Sequence, residues 1–143
     1  MWEITGYNDK AAKDICYNCG SPTAKQSYNY FRRANYRAGQ KNSTVWAKTW
    51  SDGDTPVAFF YAYKCRDHVR LIEIAVREEY KKRGIGKMVL IDLLSAMKQA
   101  GVYKLTFRTP IAEEAQKFWL HVGARIVDVK GEDYEMELTI KQD

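Results

Sequence analysis

Several features are scarce or missing in this sequence, and each removes a class of explanation. No apolar run approaches the roughly 18 to 20 residues needed to cross a bilayer. The opening Met1-Trp2-Glu3-Ile4 lacks the basic, then apolar, pattern of a secretory leader, so a cytoplasmic protein with no membrane partner is expected. Cysteines number three, an odd count too small for a disulfide scaffold, which points to reduced thiols or metal ligands rather than bridges. Acidic residues are missing between Asp14 and Asp52, a window that holds Lys25, Arg32, Arg33, Arg37, Lys41 and Lys48. The formal net charge of +5 is therefore concentrated toward one end, while Glu132, Asp133, Glu135, Glu137 and Asp143 make the tail acidic. Repeats, linkers and low-complexity tracts are missing too. What is present is 143 residues, 45% hydrophobic and 29% charged, enough apolar mass for one domain spanning 1–143 with a real core.

The periodicities predict a mixed α/β (α+β) chain. A short strand over residues 2–5 is followed by a helix over 10–17 that Asn8 or Asp9 can cap and Gly20 ends. Ser21-Pro22 has the form of a second helix start, running to about Ala38. Residues 44–50 and 57–64 read as paired strands joined by Asp52-Gly53-Asp54 and edged by Pro56. A third strand over 69–76 is apolar on both faces, the pattern of a central strand covered by helices on each side, and is expected to form the core of the sheet. From Gly86 to Ala100, Leu90, Leu93, Leu94 and Met97 recur at helical spacing and Gly101 closes the helix. A strand over 103–108, a helix opening at Thr109-Pro110 and stopping before Gly123, and two strands around residues 130–133 complete the pattern.

Between the central strand and the clearest helix lies Lys81-Lys82-Arg83-Gly84-Ile85-Gly86-Lys87. A loop in that position can turn several backbone N–H groups toward an anion, and the helix start adds partial positive charge. Glycine at 84 and 86 permits backbone angles and close approach that a side chain would forbid, and the flanking cations attract phosphate. A pyrophosphate is the natural guest.

Residues 76–87 resemble the strand exit and phosphate loop of the GNAT superfamily of acetyl-CoA-dependent N-acetyltransferases, whose loop reads Gln or Arg, two residues, Gly, any residue, then Gly or Ala. Lys81 stands where Gln or Arg is usual and keeps the charge. Ala115-Gln116-Lys117-Phe118-Trp119-Leu120-His121-Val122-Gly123-Ala124 is similar to the later helix of that family, with Trp119 at its tyrosine position. The resemblance covers about 57–138. It implies a centrally splayed sheet with helices on both faces, acetyl-CoA as co-substrate, and transfer of an acetyl group to a primary amine of a small molecule, protein or nucleobase. It further implies pyrophosphate contacts from Lys81, Lys82 and the backbone of Arg83, Gly84, Ile85, Gly86 and Lys87. The pantetheine and thioester then lie along Ile74, Ala75 and Val76, with Phe118 nearby.

Acyl transfer to an amine needs a neutral nucleophile, a stabilised oxyanion and a proton for the departing thiolate. Glu73, a carboxylate in an apolar strand, is the catalytic candidate, as a base acting directly or through water, and its position also resembles an acidic one frequent in the family. The alternative is a structural carboxylate paired with Lys104 or Arg108 on a neighbouring strand. Trp119 cannot donate a proton as a tyrosine does, which leaves the general acid open among Tyr80, Tyr134 or none. Cys16, Cys19, Cys65 and His68 would suit tetrahedral zinc if the two pairs met, although no sequence rule brings them together; otherwise they are buried free thiols and a turn histidine, and no residue is assigned to a metal. In the window 22–38, Tyr28, Tyr30, Phe31 and Tyr36 interleave with Arg32, Arg33 and Arg37, which suits an acidic or nucleic-acid acceptor as well as an ordinary amphipathic helix. Two alternatives to an active enzyme follow: an acyl-CoA-binding module without turnover, or a nucleic-acid-binding or nucleic-acid-modifying protein using that helix. Monomer and homodimer both remain open.

Overall fold

The computed structural model describes residues 3–20, 28, 44–111 and 115–141. In chain order these form β1 (Glu3–Gly6), α1 (Asp9–Tyr17), β2 (Thr44–Asp52), β3 (Thr55–Lys64) and β4 (Val69–Val76). A single 3-10 turn (Glu78–Tyr80), α2 (Ile85–Gln99), β5 (Lys104–Pro110), α3 (Ala115–His121), β6 (Arg125–Lys130) and β7 (Asp133–Thr139) follow. The seven strands make one mixed sheet in the order β1-β2-β3-β4-β5-β7-β6, antiparallel except for the β4/β5 pair. None of the described helices is long and apolar enough to cross a membrane.

Local chemistry explains the helices. Of the two candidate caps, Asn8 does the work for α1: its side chain accepts the Ala11 N–H at 3.0 Å, satisfying a first-turn donor that the helix itself cannot. Asp9 instead accepts hydrogen bonds from the phenols of Tyr7 (3.2 Å) and Tyr28 (2.8 Å). Ala12, Ile15 and Cys16, at helical spacing, bury the inner face of α1 against β3 and β4. On the opposite face of the sheet α2 buries Ile85, Val89, Leu90, Leu93 and Met97, and α3 adds Trp119. Emptying one such site, as in Leu93→Ala, would cost about 2–5 kcal/mol.

Three expectations change. The strand buried on both faces is β3, where Val57, Ala58, Phe59, Phe60, Tyr61 and Ala62 are all enclosed, rather than β4. β4 does lie in the middle of the sheet with helices on either side, but Ile72, Glu73, Ile74 and Val76 remain partly open because the sheet forks beside them. Thr109 and Pro110 do not open a helix. They extend β5, opposite Tyr134 and Asp133 of β7, with the proline at the strand end where a missing N–H is tolerated. Pro56 lies inside β3 rather than at its edge, opposite Ser51 at a bulge. The hairpin at Asp52-Gly53-Asp54 joins β2 to β3 as expected. The second predicted helix, over 22–38, lies outside the described residues apart from Tyr28, a buried helical residue.

Candidate active site

The site originates in a break of strand pairing. β4 and β5 run parallel but are in register only at Val69↔Leu105 and Arg70↔Thr106, after which they diverge. Above the fork, β4 keeps its partner β3 on one edge from Leu71 to Val76, while its edge toward β5 has no ladder partner among the described residues. Backbone amides on such an edge need hydrogen bonds from something else. The gap is a cleft of about 530 Å³ whose walls include Ile74, Val76, Ile85, Phe107, Phe118 and Trp119.

A second irregularity aims the side chains. Tyr61 pairs with Glu73 but Ala62 pairs with Leu71, so Ile72 is an extra residue in β4. Leu71, Ile74 and Val76 therefore pack toward α2, while Ile72 and Ala75 pack toward α1. Glu73 joins the α1 side: its charge is felt by Cys16 of α1, whose thiol is pushed up first by burial and then by this carboxylate. Glu73 lines the cleft, and one of its oxygens accepts the Ile74 N–H at 3.2 Å. Of the two cations offered as structural partners, Arg108 makes its ion pair with Glu135. Arg108 approaches Glu135 at 3.6 Å, and Glu135 is held by Arg70 through two contacts of 2.5 and 3.1 Å.

At the open end of β4 the chain passes through the 3-10 turn into the glycine loop. Lys82 (φ 63°) and Gly84 (φ 76°) both adopt left-handed backbone on either side of Arg83, the alternation that turns successive N–H groups into one concavity. Gly84 caps α2, whose first internal bond is Met88 N–H to Gly84 O at 3.1 Å, so the N–H groups of Ile85, Gly86 and Lys87 have no intrahelical acceptor. A side chain on Gly86 would meet Val76 Cγ2 at 3.8 Å and narrow the passage between loop and strand. The sequence-predicted residues Glu73, Ile74, Ala75, Val76, Lys81, Lys82, Gly84, Ile85, Gly86, Lys87 and Phe118 all line this single cleft. Arg83 instead lies over the ring of Tyr80 at 5.2 Å.

Lys81 has a further, mechanical task. Its ammonium contacts Glu78 at 3.0 Å and the carbonyl of Cys19, while Glu78 N–H bonds Asn18 O at 2.8 Å and Arg77 reaches Asp14 at 2.8 Å. These bonds tie the C-terminal end of α1 to the loop. Tyr80, one of the candidate acids, donates its hydroxyl to Asp52 at 3.1 Å, and that hydrogen bond, before any other influence, raises its pKa and makes it a poorer acid. Tyr134 packs against the main core. Trp119 is buried, with Phe107 at 4.0 Å and Phe118 at 5.3 Å between ring centroids, so the position similar to the family tyrosine is an aromatic wall. His121 is exposed at the end of α3.

The suggested zinc ligands do not converge. Cys16 and Cys19 lie beside the exit of β4, whereas Cys65 and His68 make the turn before its start, where Cys65 N–H bonds His68 O at 2.8 Å. The eight residues of β4 separate the pairs by about 25 Å, and no metal-binding cluster occurs among the described residues. The basic, aromatic window proposed for an acceptor lies outside those residues except for Tyr28. Sequence reasoning missed Phe107 and Thr109, which line the cleft from β5, and knew Arg108 only as a partner for Glu73. Alternation along β5 marks Arg108 as facing away from buried Phe107, but only the fork places it beside a cleft.

Comparison with known proteins matches this geometry. By sequence, no curated protein matches. Among solved structures, the PaiA N-acetyltransferase of Thermoplasma acidophilum in complex with coenzyme A is similar over 97% of this chain and 99% of its own, at TM-score 0.76 and 16% identity. The ribosomal-protein-S18-alanine N-acetyltransferase of Escherichia coli is similar over 100% and 96%, at TM-score 0.75 and 18% identity. A Bacillus subtilis acetyltransferase in complex with CoA is similar over 98% of both chains, at TM-score 0.69 and 18% identity. Identities this low speak for the fold, which is the mixed, centrally splayed acyl-CoA N-acyltransferase fold expected from the sequence. The family model for the acetyltransferase (GNAT) family matches residues 13–124, the stretch that holds the fork, the glycine loop and the aromatic wall, and the chain belongs to that family.

Proposed function

We propose that this acetyltransferase carries acetyl-CoA in the forked cleft and transfers its acetyl group to a primary amine, with Glu73 as the base. The observation that carries the reading is the continuity of an unpaired strand edge with an anion-binding loop. The concavity at residues 82–87 supplies N–H donors and cations for a pyrophosphate, and the open edge of β4 offers amide hydrogen bonds to the amides of a pantetheine arm. The apolar walls from Ile74, Val76, Phe107 and Phe118 exclude water from the thioester.

The chemistry follows from these positions. Glu73 accepts a proton from the ammonium of the acceptor, directly or through water, and leaves a neutral amine. As the amine nitrogen bonds to the thioester carbonyl carbon, the Val76 N–H on the open edge of β4 stabilises the oxyanion. The C–S bond then breaks, the electron pair leaves on sulfur, and the second amine proton is lost to solvent or to the thiolate. The first-turn amides and cations of α2 hold the donor throughout, so much of the acceleration comes from orientation.

Trp119 favours a second reading, a CoA-binding protein of little turnover, because no phenol stands where the family places its acid. Calorimetric titration with acetyl-CoA and with CoA, for the wild type and Gly84→Glu, tests the donor site. Micromolar binding abolished by the variant supports it, and no binding to the wild type refutes it. Thiol release during incubation with a panel of amines then separates turnover from binding alone.

A further inference from the structure

Past the last paired residues, Arg70 and Thr106, the first side chains on the α1 side of the sheet are Glu73, with Ile72, on one prong and Arg108 on the other. Arg108 takes that side because Phe107 and Thr109 are buried in the opposite core and because Arg108 pairs with Glu135. Both Glu73 and Arg108 line the cleft, and Glu73 is the carboxylate among the described residues that line it. A base and a guanidinium thus flank the mouth of the fork from opposite walls.

Arg108 is not neutralised there. Glu135 gives two contacts, at 2.5 and 3.1 Å, to Arg70, and meets Arg108 through Nε at 3.6 Å, beyond hydrogen-bond length. Arg70 and Glu135 are 20% and 15% exposed, whereas Arg108 is 48% exposed. Two guanidiniums share one carboxylate, so the cluster keeps one positive charge, and the Nη end of Arg108 is the fork-shaped donor pair that suits a planar anion. A pyrophosphate held in the phosphate loop cannot be that anion. Three residue steps along the strand carry Glu73 to Val76, roughly 10 Å, and the loop begins only beyond the following turn.

Resting on the acetyltransferase reading above, we propose that Arg108 selects the acceptor: a primary amine that carries an anionic group, carboxylate or phosphate, a few bonds from its nitrogen. The amine lies at Glu73 and the anion at Arg108, which fixes which nitrogen faces the thioester and disfavours amines lacking the anion. Free α-amino acids and amino-alkyl phosphates are the simplest molecules of this kind.

The test compares acetylation of the free amino acids with their carboxamides, and of phosphoethanolamine with ethanolamine, by thiol release, in the wild type, Arg108→Gln and Arg108→Lys. CoA titration and thermal melts of each protein accompany the kinetics. The wild type should favour the anionic member of at least one pair by about 10- to 100-fold in kcat/KM. Arg108→Gln should bring the two rates together, Arg108→Lys should keep part of the preference, and CoA affinity should hold in both. Whichever pair shows the preference identifies carboxylate or phosphate as the anion. Equal rates on acid and amide in the wild type overturn the proposal, as does an unchanged preference in Arg108→Gln. Equal loss on both members in Arg108→Gln also overturns it, since that marks a structural role or an oxyanion contact. A wild type that binds CoA but acetylates no anionic amine refutes this inference and leaves the donor site standing. One that binds no CoA refutes the acetyltransferase reading itself.

Discussion

Replacing Gly84 by alanine isolates the contribution of the loop geometry to donor binding. Its φ of +76° and ψ of 9° are left-handed, and a Cβ built there meets nothing within 4 Å, so the change adds no clash inside the protein. The cost in the free protein is then the conformational penalty of an L-residue in that region, about 1–2 kcal/mol. For a chain of this size that lowers Tm by roughly 3–8 °C. Gly131, in the β6/β7 turn, has φ +64° and an equally open Cβ position, and it is not among the residues that line the cleft. Gly131→Ala should therefore lose a similar amount of stability. The two variants part in the presence of CoA. A tilted peptide at 84 misdirects at least one N–H aimed at phosphate, and a hydrogen bond to a charged group contributes about 1.5–3 kcal/mol. Gly84→Ala should raise the Kd for CoA by about 10- to 100-fold, and Gly131→Ala by less than about twofold. Thermal melts and calorimetric titration at 25 °C measure both quantities. Equal CoA affinity in the two variants would refute the assignment of the loop as the anion site, whatever their stabilities.

Other perturbations probe the chemistry and the core. Glu73→Gln should lower kcat by about 100-fold with CoA affinity intact, and a kcat within a few-fold of wild type would remove Glu73 from the mechanism. Trp119→Tyr puts a phenol on the aromatic wall at a stability cost of about 1–2 kcal/mol. Stopped-flow thiol release should then speed up by about tenfold if thiolate protonation limits turnover, and an unchanged rate would show that it does not. Burial pushes the phenol of Tyr61 up to about 12 from 10.0, so the folded state holds this proton more tightly than the unfolded chain does. The associated stability is intact below the unfolded value of 10.0 and is lost as pH rises toward about 12. Over that window the slope should approach 1.4 kcal/mol per pH unit, and denaturant titrations of Tyr61→Phe at stepped alkaline pH should show a shallower fall than wild type. Cys16, raised from 9.0 chiefly by burial, gives the decline an earlier onset that Cys16→Ala should remove.

Local signals carried most of the fold. Asn8, the Leu90-Leu93-Met97 spacing and the Asp52-Gly53-Asp54 turn each act through neighbours within a few residues, so a sequence displays them directly. The donor side was legible for the same reason, since a strand, a glycine loop and a helix are contiguous from Val69 to Gln99. What stayed hidden depends on distant pairing. An apolar β4 looks like a buried strand until one knows that β5 leaves it after Arg70, and Thr109-Pro110 resembles a helix start until β7 pairs with it. Arg108 could be seen as a charge on an alternating strand, but its neighbour Glu135 lies 27 positions away and its place beside the cleft is a property of the fork. The bulge at Ile72, which turns Glu73 toward α1, has no marker in composition at all.

The bonds tying α1 to the glycine loop make a thermodynamic linkage out of a piece of architecture. Asn18 O, the Cys19 carbonyl and Asp14 hold Glu78, Lys81 and Arg77, so the end of α1 moves with the segment that leads into the phosphate concavity. An anion that settles into that concavity stiffens the end of α1, the helix that packs on the same side of the sheet as Glu73. By reciprocity, whatever docks against α1 must sharpen the grip on the donor by the same factor. Such a joint makes donor and acceptor each favour the other's binding, without a lid or a hinge, because each substrate finds the other's half of the molecule already held still.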